Sequence, residues 1–238
     1  MKVAVCFWGL CRSTDKIIES LQKNVFDVLA NAGIDYEVFV HTFCINRLYS
    51  NARAGEKTLM LNNSLYTLLN PKAALVEDQD EVDKRLDLTA YRSRGDAWAG
   101  QGTPWQTFDN HIRSLYSLNT VTNMWKHGSY DYVMYIRPDV KYLNPIDVRW
   151  FQDHYLVMTD FGKCPLNDRF ALGPPSMAVI FGERFAGALE YSKGRPLHSE
   201  QYLNYVIQTN RVPMIEVPFR FRRVRATGEE CELNIVEP

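Results

Sequence analysis

No stretch of this sequence is long and apolar enough to cross a membrane, a task that takes about 20 consecutive apolar residues. The opening MKVAVCFWGLCRSTD has only a brief apolar stretch before charge returns, so it is read as neither a secretory leader nor an anchor. Charge of one sign is also missing: 27 Lys and Arg face 28 Asp and Glu, for a formal net charge of −1. That balance excludes a general pull toward nucleic acid or an anionic membrane surface. The five cysteines (Cys6, Cys11, Cys44, Cys164 and Cys231) are odd in number and scattered, without metal-finger spacing. They are expected as reduced thiols in a cytoplasmic protein, most of them packing residues. Two nucleotide-binding signatures are absent. No Gly-Lys-Ser/Thr follows GLCRS, which rules out a P-loop, and the second and third glycines of the dinucleotide fingerprint are lacking. There is no internal repeat, low-complexity tract or obvious linker.

What is present is enough apolar content, 46% of 238 residues, for a real core in one large domain or two small ones. KVAVCFWG reads as a strand ending at Gly9, and TDKIIESLQKNVFDVLANAG as a helix stopping at Gly33. YEVFVHTF is a second strand, so the opening is strand–helix–strand and predicts a parallel sheet with a crossover helix. From about Asn46 to Gly102 the pattern is less regular. It suggests a short helix near Leu59 to Leu69, a strand at AALVED and a mobile loop through RSRGDAWAGQGTP. WQTFDNHIRSLYSLNTVTNMWKHG is a long amphipathic helix feeding the buried strand in YDYVMYIRPDV. Then follow YLVMTD, RFALGPPSMAVIFG, helices through RFAGALEYSK and SEQYLNYVIQTN, and a last strand near PMIEVPFRFRRVR. The fold class is α/β with a mostly parallel central sheet flanked by helices.

In open α/β sheets ligands gather at the carboxyl ends of the strands. Three polar clusters fall there: Gly9 to Ser13, His41 with Thr42, and Arg137 to Asp139. A carboxylate so placed can hold a divalent cation that neutralises a diphosphate. By spacing alone, Arg137 and Asp139 are equally well a strand end meeting solvent with a local ion pair. Gly9 permits close backbone approach and Arg12 suits phosphate, although Arg12 also fits a surface position. FRFRRVR sets Phe219 and Phe221 on one strand face and Arg220 and Arg222 on the other, with Arg223 and Arg225 continuing the basic run. This is either a cationic wall facing phosphates or an edge strand protected by charge. Ser199 is expected to cap a helix whose first turn holds Glu200, a position the helix dipole favours for any acid and one that suits a general base. Asp168 is a second candidate acid beside a loop. His198 is a candidate metal ligand or a packing residue. Trp98, Trp105 and Phe108 are candidate stacking platforms or core.

Taken in order, VAVCFWGLCRS, YEVFVHTF, YDYVMYIRPDV, DRFALG, HSEQYL and RFRRVRATG resemble a group of GT-A nucleotide-sugar glycosyltransferases from bacteria and large DNA viruses, including glycan-building enzymes of chlorella viruses. The likeness spans nearly the whole chain. It implies a single Rossmann-like glycosyltransferase domain over residues 1–238. Residues 1–145 would be the nucleotide-binding part, 146–238 the acceptor and catalytic part, and 46–102 a variable insertion. The implied reaction moves a sugar from a nucleotide diphosphate, with UDP expected from the likeness alone, to a hydroxyl of a glycan. Gly9, Arg12, His41, Arg137 and the arginines 220, 222, 223 and 225 are assigned to nucleotide and phosphate. Asp139 and His198 are assigned to Mn²⁺ or Mg²⁺, Glu200 and Asp168 to catalysis, and Trp98 and Trp105 to the acceptor. Arg137 stands where the first aspartate of the Asp-x-Asp pattern would be, so arginines are expected to take part of the metal's electrostatic task. The implied location is cytoplasmic, in the host cytoplasm for a viral chain. Two other classes fit the residues: a different phosphate-handling transferase such as a sulfotransferase, and a non-catalytic glycan- or nucleotide-binding protein.

Overall fold

Both faces of the first strand are buried. In β1 (Lys2–Trp8), Val3, Val5 and Phe7 enter one apolar cluster while Ala4, Cys6 and Trp8 enter another. Side chains alternate across a strand, so an apolar run without polar alternation needs a packing layer on each side. The computed structural model describes residues 1–231 and supplies both layers; residues 232–238, the end of the expected domain, lie outside the described residues.

On one side pack α1 (Thr14–Leu21), a π-helical segment (Gln22–Phe26) and α2 (Asp27–Asn31), which together make up the single helix expected there. The π segment is tied to a later part of the chain: the Asn24 amide donates to the Tyr142 carbonyl at 2.9 Å, and Ile146 N–H donates to the Asn24 carbonyl. Gly33, at φ +65°, makes the turn into β2 (Asp35–Cys44). The irregular region holds the small antiparallel pair β3 (Tyr49–Asn51) and β4 (Glu56–Leu59), then β5 (Ala73–Asp78) and α3 (Gln79–Arg85). The helix expected near Leu59 to Leu69 is only a 3₁₀ turn at Leu65–Leu69. Its approach is diverted because Ser64 bonds Asn62 Oδ1 through both backbone and hydroxyl, a local alternative to helical bonding.

The long helix α4 (Gln106–Trp125) covers the other face of the sheet and leads to β6 (Tyr132–Ile136), every residue of which is buried. The chain continues through β7 (Val140–Tyr142), β8 (Leu156–Thr159), β9 (Ala171–Gly173), α5 (Pro175–Gly182), α6 (Phe185–Gly194), α7 (Ser199–Thr209), β10 (Met214–Val217) and β11 (Phe221–Arg223). The expected last strand is thus two strands. Pro218, which has no N–H to donate, lies between them; β10 joins the large sheet and β11 pairs with β7.

Seven strands form the main sheet in the order β10-β8-β9-β6-β1-β2-β5. All neighbours are parallel except β9, which runs antiparallel to both β6 and β8. The fold is therefore α/β with a mostly parallel sheet between helical layers. Strands from both halves of the chain share that one sheet. No helix among the described residues is long and apolar enough to cross a membrane.

The layers meet closely at Gly182, the last residue of α5. A Cβ there would lie 2.2 Å from Thr122 Oγ1 and 2.3 Å from the Tyr135 hydroxyl. Those two oxygens are themselves bonded at 2.7 Å, and Trp125 Nε1 donates to the same tyrosine at 3.1 Å. Gly182→Ala must therefore displace a buried hydrogen-bonded group. It should lower unfolding stability by about 1–3 kcal/mol, and unchanged denaturant midpoints would disprove this packing.

Candidate functional site

Strand order reverses between β1 and β6: from β1 the chain builds outward through β2 and β5, and from β6 it builds the opposite side. Such a reversal leaves a crevice outside the carboxyl ends of the two strands. Two connected cavities, of about 230 and 120 Å³, lie there and share Arg12, Asn110, Ser114, Arg137 and Asp139. Gly9 follows β1 at φ +89°, and a Cβ on it would come 3.0 Å from the Arg137 guanidinium. Glycine is needed here so that the arginine, lying over the Trp8 ring at 5.4 Å, can cross the turn.

The floor is an ion cluster. Asp139 is 1% exposed; its Oδ1 accepts from Arg137 Nε at 3.0 Å and its Oδ2 from Arg12 at 3.1 Å. Arg12 also donates to the Tyr49 hydroxyl at 2.7 Å and to Glu56 at 2.8 Å, and Glu56 in turn accepts from the Ala226 N–H at 2.8 Å. Burial alone would raise the Asp139 pKa, but Arg137 and Arg12 overcome it and hold the carboxyl well below the usual aspartate range. Asp139 therefore works first as the counter-ion of two arginines, and Arg12 is a strut between the N-terminal turn and the irregular region. The pairing of β11 with β7 brings Arg223 alongside, through Val224 N–H donating to the Asp139 carbonyl at 2.9 Å.

Glu200 and Asp168 face the same cavity from the start of α7 and the loop before β9. Arg169 bridges them, 3.5 Å from Glu200 and 3.9 Å from Asp168. Their environments separate their acidities. Burial, then the nearby Asp168, pushes Glu200 up to about 7. Burial would also raise Asp168, but Arg169 and Arg184 prevail and keep it below its ordinary value. The structure thus brings together one carboxylate held ionised and one poised near neutrality. Ser199 is the first helical residue of α7, and His198 is the cap residue, with no side-chain capping bond.

Of the basic run, only Arg223 lines the crevice. Arg220 is paired with Asp160 and lies over Phe161, and Arg222 lies 3.6 Å from Glu230; both therefore leave the phosphate wall expected of them. Arg225 is not a lining residue, although its charge acts on Arg223. His41 also stands back from the crevice, wholly buried between Ser117 Oγ at 2.6 Å and Glu77 at 2.9 Å. An ionised Glu77 accepts only, so His41 carries its proton on Nε2 and accepts from Ser117 at Nδ1. Ser117 in turn accepts from Gly9 N–H at 2.8 Å, which makes His41 a support for the turn rather than a phosphate contact. Trp105 packs on Phe108 and beneath Arg92, away from the crevice. Trp98 does line it, but the residue is 7% exposed and its ring is stacked by His198 at 5.0 Å, so it holds that imidazole instead of offering a free platform.

Residues without a sequence motif complete the walls: Arg53 from the irregular region, Arg169, and Thr107, Asn110, His111 and Ser114 from α4. The α4 set does leave a trace in the sequence as a polar stripe at helical spacing beside the apolar Phe108, Ile112 and Leu115. A divalent cation fits the donor set poorly. Both Asp139 oxygens are bonded to guanidinium groups, and no grouping of three or more His, Cys, Asp or Glu suited to a metal occurs among the described residues. No family model matches this sequence, and no curated protein matches it at a significant level. A roomier groove of about 640 Å³ between α5, α6 and α7 contains Glu183, Arg184, Glu190 and Arg195 but lies on the far half of α7 from Glu200.

Two outcomes follow from these charges. Asp139→Ala leaves Arg137 without its carboxylate and Arg12 with Glu56 alone in a buried site, and should cost about 3–5 kcal/mol of stability; a denaturation midpoint equal to wild type would refute the cluster's role. Glu200 has a folded pKa of about 7, above the ordinary value of 4.5. Its contribution to stability is full below pH 4.5 and lost as pH rises through 7. Glu200→Gln should therefore flatten the fall in melting temperature across that window, and an unaltered slope would count against the assignment.

Proposed function

We propose that the chain is a GT-A-type glycosyltransferase, moving a sugar from a nucleotide diphosphate, UDP in the first instance, to a hydroxyl of a glycan acceptor. The observation that carries this reading is the charge imbalance of the crevice. Five arginines (Arg12, Arg53, Arg137, Arg169 and Arg223) line it against three carboxylates, with Glu56 behind Arg12 as a fourth, and Arg53 and Arg223 have no carboxylate within ion-pair distance among the described residues. Burial, then the charges of Arg169 and Arg225, lowers the Arg223 pKa to about 10 and pushes that of Arg53 in the same direction. Cations held at a cost without partners are poised for an anion, and a diphosphate matches both the charge and the bidentate geometry of guanidinium groups.

In this reading the arginines stabilise negative charge as it grows on the departing diphosphate, the task that preorganised cations perform best. Glu200 takes the acceptor proton, because a base with a pKa near the working pH combines availability with driving force. Asp168, held ionised, faces the positive charge that develops on the transferring sugar. Because guanidinium groups occupy Asp139, charge neutralisation here falls to the arginines, and donor binding should not require Mn²⁺ or Mg²⁺.

A thermal-shift screen of UDP, GDP, CMP, NAD and adenosine 3′,5′-diphosphate, each with and without Mn²⁺, tests this. A ligand at 100 times its dissociation constant adds about 2.7 kcal/mol of stability. The expected result is a shift with UDP or GDP in the absence of Mn²⁺. Arg223→Ala should remove the shift while leaving the free protein equal or higher in melting temperature, since it deletes a charge that burial and neighbouring arginines disfavour. A shift with adenosine 3′,5′-diphosphate alone would replace the reading by sulfuryl transfer, and no shift with any nucleotide would end it.

A further inference from the structure

Four hydrogen-bonding groups at one end of the crevice have little to bond. Among the described residues, His111 Nε2 and His198 Nδ1 are both buried with no hydrogen-bond partner, and His111 as a whole is 8% exposed. No hydrogen bond reaches the side chains of Asp168 or Glu200 among the described residues, whose nearest cation is Arg169 at 3.9 and 3.5 Å. All four line one cavity. Buried polar groups are almost always satisfied, so the two unpartnered imidazole nitrogens, beside two carboxylates open to the same cavity, call for a ligand or water.

The two imidazoles are held, not loose. His198 stacks on Trp98 at 5.0 Å with 26° between planes, and His111 meets the same indole edge-on at 5.6 Å. Asp96 fixes the Trp98 loop by accepting from the Trp98 N–H at 2.8 Å and the Trp105 N–H at 2.9 Å. Burial lowers the pKa of both histidines, His111 to about 3, so each ring is neutral and offers one donor and one acceptor. An ionised Asp168 offsets the charge of Arg169 at this end, while Arg12 and Arg137 stand at Asp139.

We propose that the pocket end framed by Trp98, His111 and His198 is a subsite for an uncharged, hydroxyl-rich ring, a sugar, whose hydroxyls bond His111 Nε2, His198 Nδ1 and the carboxylates of Asp168 and Glu200. The proposal rests on the glycosyl-transfer reading of the same crevice, and it divides that crevice into an arginine end for phosphate and an imidazole end for the sugar. His111 and His198 are then binding residues that select a neutral polyol.

The test is saturation-transfer NMR on the full chain with the methyl glycosides of glucose, galactose, mannose and xylose as probes, alongside the UDP thermal shift. At least one glycoside should bind. His111→Phe and His198→Phe, which keep an aromatic ring but remove the nitrogens, should each weaken that binding by about two- to tenfold, the worth of one hydrogen bond. If the buried His111→Phe variant does not fold, the half-buried His198→Phe decides. Failure of every glycoside to bind wild type, or equal binding by the folded variants, overturns the subsite. A UDP shift without glycoside binding defeats the subsite alone. Glycoside binding without any nucleotide shift defeats the nucleotide reading and leaves the subsite standing.

Discussion

The buried carboxylate of Asp139, shared between Arg12 and Arg137, is the constraint on which the crevice depends. Asp139 follows β6, Arg12 follows β1, and Glu56, the second acid on Arg12, comes from β4 of the irregular region. One cluster therefore ties together three parts of the chain far apart in sequence. Replacing such a network by apolar groups can leave a protein equally stable, so its presence argues for specificity of arrangement more than for stability itself. Here the arrangement sets two guanidinium groups on the crevice floor and holds them still.

Around that floor the walls differ in character. Burial and the charges of Arg169 and Arg225 disfavour the charge of Arg223 and push Arg53 in the same direction. Away from Asp139, with Arg169 between them, lie two carboxylates of unequal acidity beside neutral imidazoles. A crevice with such an axis is suited to a ligand that is anionic at one end and hydroxylated at the other. Supports one layer out are conventional by comparison: His41 through Ser117 onto Gly9, Asp96 onto the Trp98 loop, and Trp98 onto His198. Each fixes the direction of a group that itself faces the cavity.

Much of the fold was legible because local physics was consistent. The continuous apolar runs of β1 and β6 implied helical layers on both faces, and the helix punctuation at Gly33 and Gly128 matched where α2 and α4 end. The legible part of the site was similarly local: Gly9, Arg12, Arg137, Asp139, Asp168, His198 and Glu200 all lie at or beside element ends, and all but Gly9 line the larger cavity. What misled was periodicity read without a partner. FRFRRVR has four candidate arginines, but the pairing of β11 with β7 turns only Arg223 into the crevice and sends Arg220 and Arg222 to acids elsewhere.

The sequence by itself determined the α/β class, the strand ends that carry polar residues, and the excess of arginine near them, since each depends on neighbours a few residues apart. Only the tertiary structure decided which charges are paired. Asp139 reads in sequence as a metal-binding carboxylate or as half of a local ion pair at a strand end, yet burial beside both Arg12 and Arg137 makes it their shared counter-ion. Glu200 reads equally as an ordinary first-turn acid or a general base, and only burial beside Asp168 brings it to about 7. Arg53 and His111 carry no motif at all, and reach the site because the irregular region and α4 fold over the same crevice. Ionisation depends on desolvation and on charges within a few ångströms, and those distances exist only after the chain has folded.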